Sequence, residues 1–470
     1  MTNVLRILTL FILLTIPILF AAVQPYVWTV YTVLMYVAFV VMLWSAPGGE
    51  LPRTGKAFYV SLVPFFLATL LLCVPLPDGL LALLSPTRFA LLEETRALTG
   101  TPPAWRSLGY TPLQDLAWWG FLLGLVLFYL VLVNHFRSGR TRRLTLWLLF
   151  GLAVFQALYG LLQALVPNLG TLWVDYIRST LGNARGTWIN RNHFAGYMEM
   201  MIPLFLGFLL ARVDWHGKIS FKTLVLSDRL HQHGLMVLGL VLMALALLFS
   251  KSRAGIVGGF VGLSVFLALL GTGGRRVPSA VWLVVGLLAG GVVFYGGRIG
   301  VDPVLERFLA LGENVSRIDV WQDSLAMIAA HPLGIGLASF KPLFPLYHTT
   351  SVPGGSTPYY LHNDLLQVLV DAGWLGAATL LGGLVWFMAV GVRRIRRMVP
   401  AEEPGRFFPA VGALSGLAAL IFHSLFDFNL HMPANAVYFV ALMAIVDSST
   451  AASPEPNSGG AKDSRGQGFK

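Results

Sequence analysis

Residues 114–134 read QDLAWWGFLLGLVLFYLVLVN, a run with a single charged side chain, Asp115. A helix of about 20 apolar residues crosses the roughly 30 Å hydrocarbon core of a bilayer, so this run predicts a membrane-spanning helix. Hydropathy, with breaks at proline, glycine and charged clusters, predicts such spans at 4–23, 27–46, 57–76, 114–134, 144–166, 193–211, 235–249, 254–271, 279–296, 363–390, 407–426 and 432–447. The sequence therefore predicts an all-α polytopic membrane protein of about twelve spans.

The composition of the 470 residues excludes several other classes of protein. Hydrophobic residues make up 56% of the chain and charged residues 12%, whereas soluble domains carry roughly 25% charged residues. A soluble enzyme, a disordered chain and a nucleic-acid-binding module are excluded, so no nucleic-acid partner is expected. The only cysteine, Cys73, rules out a disulfide framework and a Cys–His metal cluster. The first apolar stretch is too long for a typical signal-peptide core and predicts a retained helix.

Lys and Arg residues are distributed unevenly between the loops on the two sides of the membrane. One set of alternate loops, with the termini, holds 21 of the 33, and the other set holds 12. The positive-inside rule therefore predicts that both termini are cytoplasmic. Three long segments then face outward, at about 77–113, 167–192 and 297–362, and the last is a large loop between the ninth and tenth spans. The polar tail, 448–470, is predicted to be disordered and cytoplasmic.

Several of the outward basic residues lie at the ends of apolar spans. Arg185 and Arg191 belong to ARGTWINRNHFAGYMEM (184–200), and Arg253 belongs to SKSRAG (250–255). Anchoring at lipid headgroups is the alternative interpretation of each one. Arg317 fits that interpretation least, because it occupies the first turn of a predicted helix, where the macrodipole disfavours a cation. An anionic ligand would offset this charge, and guanidinium groups bind phosphate oxygens through paired hydrogen bonds.

That predicted helix has clear start and stop signals within the large loop. Ser316 and Asp319 have the spacing of a capping box, with the serine at the cap. The apolar pattern then continues until His331-Pro332, where proline ends it. The loop is therefore expected to be a folded external element.

His362 and Asn363 lie at the mouth of the tenth span, in YYLHNDLLQVLVDAGWLG (359–376). An imidazole suits proton abstraction from a hydroxyl near neutral pH, which makes His362 a candidate general base. An amphipathic structural role at the membrane interface is the alternative. Asn363 has a simpler explanation as the N-cap of the helix that follows.

A second group of ionisable residues, His423, Asp427 and His431, lies near the outer ends of the last two spans. A spacing of four would place His423 and Asp427 on one face of a helix, which could form a metal pair or a proton relay. Two histidines and one aspartate without a further ligand make a weak metal site, so a supporting role is preferred.

Four segments, in order along the chain, resemble the O-antigen ligase and O-antigen polymerase superfamily of bacterial membrane glycosyltransferases. One is the pattern His362-Asn363, nine residues, then Gly373, with Gly376 three residues further on. The other three are ARGTWINRNHFAGYMEMMIPL (184–204), SRIDVWQDSLAMIAAHPLGIGLASF (316–340) and HSLFDFNLHMPANAVYF (423–439). The resemblance extends from about 180 to 447, whereas the first half of the chain shares only its hydrophobicity.

The resemblance implies a GT-C-like helical fold in the bacterial inner membrane, with an active site that faces the periplasm. We expect N-terminal transmembrane helices over 1–176 and an O-antigen ligase-like transmembrane domain over 177–447. The expected activity is metal-independent, inverting glycosyl transfer from a polyprenyl-diphosphate-linked glycan, in cell-surface polysaccharide biosynthesis. Neither a metal nor another cofactor is expected, because arginines replace the divalent cation of other glycosyltransferases.

The same resemblance assigns roles to individual residues. It implies that His362 is the catalytic base and that Arg185, Arg191 and Arg317 bind the donor diphosphate. These motifs do not decide which of Arg185 and Arg191 contacts the diphosphate, although the position before a Gly-Thr pair favours Arg185. The candidates for supporting positions around them are Asn363, Arg253, Asp427 and His423.

The acceptor and the class of function have alternatives. The acceptor could be lipid A-core, a growing glycan or a protein hydroxyl, so a ligase, a polymerase and a protein O-oligosaccharyltransferase all fit. A transporter or flippase of an anionic lipid-linked glycan would also use outward arginines. A transporter is expected to have polar or broken spans near the bilayer midplane, whereas the charge here is concentrated at one face.

Overall fold

A computed structural model of the chain describes residues 2–45, 56–101, 105–166, 169–172, 182–212, 230–271, 315–349 and 357–451, with a few single positions between 282 and 294. Within these ranges the regular structure is helical, apart from an isolated bridge between Pro75 and Ser107. The helices are α1 (Asn3–Thr15), α2 (Pro25–Ser45), α3 (Lys56–Leu71), α4 (Asp78–Leu84), α5 (Pro86–Thr99), α6 (Pro112–Arg137), α7 (Gly139–Leu165), α8 (Arg191–Leu210), α9 (Leu230–Phe249), α10 (Arg253–Leu270), α11 (Val315–Ala330), α12 (Phe340–Leu343), α13 (Asp364–Arg397), α14 (Pro404–His423) and α15 (Pro433–Thr450).

Among the described residues, eight helices are long and apolar enough to cross a membrane: α2, α6, α7, α8, α9, α10, α13 and α14. This confirms an all-helical, multi-pass membrane protein. Helix α1 and the apolar part of α3 are shorter, and α15 has 18 residues. The predicted span 279–296 lies almost entirely outside the described residues, so the total of twelve stays a prediction.

Helix α8 lies at the centre of the bundle. Nearly all of its side chains are buried, and it packs against α14, α9 and α10. Glycines permit this contact, since a Cβ at Gly207 would overlap the carbonyl of Phe408, and one at Gly412 would overlap the carbonyl of Pro203. Small residues let membrane helices approach closely, so that van der Waals packing holds them together. The N-terminus of α8 is thereby fixed in position.

The first helices of the chain pack directly on the last ones. The hydroxyl of Tyr438 donates a hydrogen bond to the carbonyl of Leu13 at 2.7 Å, and that of Tyr129 donates to the Asp447 carboxylate at 2.9 Å. One hydrophobic core joins α1, α2, α6 and α7 to α8, α14 and α15. The division into 1–176 and 177–447 stays a prediction. Of the predicted tail, 452–470 lies outside the described residues.

The described part of the large loop is folded, as the sequence predicts. Helix α11 ends at Ala330, directly before His331-Pro332, but its first described residue is Val315, so Ser316 lies inside the helix and not at its cap. The segment after α11 contacts the segment between α5 and α6, where the Tyr110 N–H donates to the carbonyl of Ile335 at 3.1 Å. These elements cover one end of the bundle, the end at which α13 begins.

Residues 332–336 pair with α13 at a break in that helix. The N–H groups of Ile335 and Gly336 donate to the carbonyls of Val370 and Asp371, at 3.1 and 3.0 Å. Gly373 has φ 66° and ψ −174°, and a Cβ there would overlap the backbone of residues 332–333. Gly373 belongs to the His-Asn motif, and in the structure this glycine permits the close approach of the large loop.

Candidate active site

Asp427 lies in the turn between α14 and α15 and gathers hydrogen bonds from distant parts of the chain. Its carboxylate accepts from the Asn192 amide at 2.6 Å, from the Phe428 N–H at 2.9 Å and from His362 Nδ1 at 3.1 Å. The side chain is 1% exposed. Burial would raise the pKa of Asp427, but its interactions with His193 and His362 hold that pKa well below the usual range. The carboxylate is therefore ionised at neutral pH.

His362 is fixed just before the first turn of α13. Its ring packs edge-on against Phe428, with 4.7 Å between the ring centroids. Its backbone has a φ of 54°, which non-glycine residues adopt rarely and which often marks functional positions. The side chain is 29% exposed. An ionised carboxylate can only accept, so Nδ1 carries the proton and, in the neutral ring, Nε2 has the free lone pair.

A cavity of about 470 Å³ lies beside Asp427. Four cationic side chains line it, from three separate parts of the chain: Arg191, Lys251, Arg253 and Arg317. The helices α8 and α10 both begin at this cavity, with Asn190 and Ser252 as their N-caps. Helix N-termini and guanidinium groups both attract anions, so the cavity is suited to a phosphate or diphosphate.

Arg317 lines the cavity and also lies beside Asp427. Its Nη1 donates to the carbonyl of Phe426 at 2.6 Å, and its Nη2 lies 3.8 Å from Asp427 Oδ2. The cation in the first turn of α11 is thus held by a carbonyl and a carboxylate. Arg191 Nη1 similarly donates to Asn183 at 3.2 Å.

The structure brings some of the predicted site residues together and places others elsewhere. Arg191, Arg253, Arg317 and Asp427 line the cavity, and His362 is one hydrogen bond away. Arg185, which the motif favoured over Arg191, is 3% exposed and does not line the cavity. Its backbone N–H bonds to Gln163 at 3.3 Å, on the side of α7.

Asn363 is the N-cap of α13, as the sequence predicts. Its side-chain oxygen accepts from the N–H of Leu366 at 3.0 Å. This interaction fixes the first turn of the helix directly after His362. The position of the candidate base therefore depends on the cap.

The expectation that His423 and Asp427 share a helix face is wrong. Helix α14 ends at His423, and Asp427 follows in the turn. His423 Nδ1 instead lies 3.0 Å from Glu199 Oε1, and both side chains are fully buried. Gly255 and Gly258 of α10 approach this pair so closely that a Cβ at Gly258 would lie 2.5 Å from Glu199 Oε2.

His431 belongs to a separate cluster on the other side of the same turn. Its Nδ1 lies 2.6 Å from Asp364 Oδ1, and its Nε2 lies 3.9 Å from Asp371 Oδ2. Burial would lower the pKa of His431, but the two carboxylates beside it raise it to about 9. Within the described residues, no group of three or more His, Cys, Asp or Glu side chains is arranged to hold a metal ion.

The sequence motifs assign no role in the site to Asn192, His193, Glu199 or Lys251. The first three lie in the segment 184–200, so the motif pointed to the correct stretch. Asn192 and Asp427 are 235 residues apart in the chain, however, and no local pattern indicates that they meet. Lys251 has a φ of 55° in the turn between α9 and α10, and this turn directs it to the cavity.

Residues 238–381 match the family model described as O-antigen ligase. The matched range runs from α9 into α13 and contains Lys251, Arg253, Arg317 and His362. No curated protein matches the chain. This part of the chain is therefore similar to O-antigen ligases, in agreement with the resemblance that the motifs indicate.

Proposed function

We propose that this protein transfers or polymerises glycan from a polyprenyl-diphosphate-linked donor onto an acceptor hydroxyl at the periplasmic face of the inner membrane. One observation carries the proposal. Four cationic side chains from three parts of the chain line a single cavity, and the aspartate on its wall bonds to a histidine with a free Nε2. An anion site beside a positioned base is what glycosyl transfer from a diphosphate lipid requires.

The cationic cavity binds the donor diphosphate in this proposal. Arg191, Lys251, Arg253 and Arg317 oppose the charge that develops on the leaving group when the glycosidic bond breaks. The N-termini of α8 and α10 add partial positive charge at the same place. These positive charges take the place of the divalent cation of other glycosyltransferases. We therefore expect full activity in the presence of EDTA.

His362 acts as the general base. Its Nε2 takes the proton of the acceptor hydroxyl while that oxygen forms a bond to the anomeric carbon. The bond from the anomeric carbon to the phosphate oxygen breaks, and the diphosphate leaves with the electron pair. A single displacement of this kind inverts the anomeric configuration. Asp427 keeps the proton on Nδ1 and stabilises the imidazolium that forms, as an orienting carboxylate does in other catalytic pairs.

Turnover of a lipid-linked glycan donor by the purified protein in proteoliposomes tests this mechanism. His362→Ala is expected to lose about a hundredfold or more in kcat, the usual contribution of a general base. Arg317→Lys keeps the charge but loses the forked guanidinium, and is expected to weaken donor binding about tenfold. Arg96→Lys, at an exposed position of α5, is the matched control. Normal turnover in His362→Ala would rule out this residue as the base.

Gene deletion separates the possible acceptors. Loss of attachment with full-length polymer retained on carrier lipid indicates a ligase, whereas single repeat units indicate a polymerase. A shift in the mobility of a surface glycoprotein indicates a protein O-oligosaccharyltransferase. Movement of the lipid-linked glycan across vesicles without any glycosyl transfer would instead support the transporter alternative.

A further inference from the structure

The cavity beside Asp427 has apolar walls as well as cationic ones. Its volume of about 470 Å³ lies in the range of roughly 300–1,000 Å³ that ligands of drug size fill, so a diphosphate alone does not fill it. The apolar lining comes from two kinds of element. Ala254, Val257 and Phe422 belong to the spanning helices α10 and α14, whereas Ile318 and Trp321 belong to α11 of the large loop.

This division matches the two groups that a lipid-linked diphosphate carries. The hydrocarbon chain is attached to one phosphate and the sugar to the other, so the two leave the diphosphate in different directions. The chain stays in the bilayer, and the apolar side chains of α10 and α14 lie on helices that can cross it. Helix α11 has 16 residues and is not one of the eight described helices long and apolar enough to span. The sugar is therefore expected on the side of α11.

Trp321 occupies the position that such a sugar would reach. It lies one turn after Arg317 on α11, and both side chains line the cavity. Four residues rise roughly 6 Å along a helix, which is close to the distance from a phosphate to the ring of the sugar it carries. The indole N–H of Trp321 donates to the carbonyl of Leu361 at 2.7 Å. A sugar on Trp321 thus has its phosphate at Arg317 and its anomeric carbon towards the backbone that carries His362.

The contacts of Trp321 decide what its ring can offer a ligand. The side chain is half-buried and packs on a hydrophobic core formed by α11, the segment that follows it and the start of α13. Its only hydrogen-bond donor is already bound to Leu361. The part of the ring that faces the cavity is therefore a fixed aromatic surface, which attracts C–H groups and provides no hydrogen bond for a phosphate.

We propose that Trp321 is the stacking platform for the first sugar of the lipid-linked donor, a pyranose whose C–H face packs on the indole ring. The sugar is held one helical turn from Arg317, so the bond between the anomeric carbon and the phosphate lies between the cationic side chains and the candidate base. This role rests on the proposed function, since it takes the cationic cavity as the site of the donor diphosphate.

Two lipids of equal charge test the platform without any glycosyl transfer. Undecaprenyl diphosphate N-acetylglucosamine and undecaprenyl methyl diphosphate, in which a methyl group replaces the sugar, are titrated into the purified protein in detergent. Native mass spectrometry measures each Kd. We expect the wild type to bind the sugar-bearing lipid about five- to tenfold more tightly, the usual size of an aromatic contact. Equal affinities overturn the proposal, because the ring then contributes nothing to binding of the sugar.

Two variants separate the aromatic surface of Trp321 from its hydrogen bond. Trp321→Leu removes the surface and is expected to abolish the preference for the sugar-bearing lipid, with the Kd of the methyl diphosphate unchanged. Trp321→Phe keeps an aromatic face and loses only the hydrogen bond to Leu361, so it should keep most of the preference. Equal loss of the preference in both variants contradicts the platform, because the hydrogen bond would then carry the effect.

Trp119→Leu is the matched control. The Trp119 indole is also half-buried and donates to a backbone carbonyl, that of Phe66 at 3.0 Å, but it does not line the cavity. This variant is expected to keep the full preference, and a loss equal to that in Trp321→Leu would contradict the platform. Thermal unfolding in detergent checks that all three variants fold.

The outcomes distinguish the two proposals. A preference for the sugar-bearing lipid that Trp321→Leu abolishes, without transfer by the wild type to any acceptor, leaves the platform intact and contradicts the proposed function. Transfer by the wild type together with equal affinities for the two lipids contradicts the platform alone.

Discussion

At the scale of single residues, Asp427 determines what the neighbouring histidine can do. It accepts hydrogen bonds from Asn192 and His362, and it lies 3.8 Å from Arg317 on the wall of the cationic cavity. A charged carboxylate here keeps the proton on Nδ1 of His362, whereas a carboxamide could donate to that nitrogen and move the lone pair away from Nε2.

Asp427→Asn is therefore expected to lower kcat by about a hundredfold or more, because the wrong tautomer of His362 is stabilised. Donor affinity should stay the same or increase, since a negative charge is removed from an anion site. Steady-state kinetics with a lipid-linked donor measures both quantities. Glu402→Gln, in the exposed turn before α14, is the control. A parallel loss of donor affinity and kcat would contradict this assignment.

His431 provides a pH-dependent test at the same scale. Its pKa is raised to about 9 in the folded protein, whereas an unfolded histidine titrates at about 6.5. A raised pKa contributes stability that is complete below about 6.5 and is lost as the pH rises towards 9. We expect the midpoint of thermal unfolding to fall over this window in the wild type. His431→Gln should be less stable at pH 6 and should show a flatter dependence; an unchanged slope would be evidence against the ion pair with Asp364.

At the scale of elements, the contact between residues 332–336 and the break in α13 holds the large loop at the site. The N–H of Trp374 donates to the carbonyl of Pro332 at 3.1 Å, beside the hydrogen bonds of Ile335 and Gly336. Gly334 and Gly336 have positive φ values, and a Cβ at either position would overlap a neighbouring residue. These glycines therefore serve the close packing of the loop on its neighbours.

Replacement of Gly373 tests this contact. Gly373→Ala is expected to destabilise the protein by about 2–4 kcal/mol, because the new methyl group overlaps the backbone of residues 332–333 and the φ is positive. Gly382→Ala, in the same helix, meets nothing within 4 Å and should be neutral or slightly stabilising. Thermal unfolding of the two variants in detergent provides the comparison, and equal midpoints would show that the contact is unimportant.

At the scale of the whole molecule, the prediction is the orientation of the bundle in the membrane. With both termini cytoplasmic, α5 lies on the periplasmic side and the turn between α6 and α7 on the cytoplasmic side. Because Cys73 is the only cysteine, Cys73→Ser provides a background for labelling. In intact spheroplasts, an impermeant maleimide should modify Thr99→Cys but not Gly139→Cys, and lysis should expose the second. The opposite pattern would reverse the topology and place the site in the cytoplasm.

The sequence by itself determined the class of the protein, because hydropathy and helix length are local properties that a bilayer imposes on each span. It also predicted the Asn363 cap, which the structure confirms, and it selected His362 and Arg317 as candidates, since these lie in short motifs. It did not separate Arg191 from Arg185, and it placed His423 and Asp427 on one helix face when the helix ends between them.

Only the tertiary structure decided which distant residues meet. Asp427 reaches Asn192 because glycines let α8 and α14 pack closely, and the same packing brings His423 to Glu199. The cationic cavity exists only once the N-termini of α8 and α10 and the first turn of α11 are brought together. Contacts of this kind depend on how side chains fill space between helices, and a periodic sequence pattern records which face is buried but not what lies opposite it.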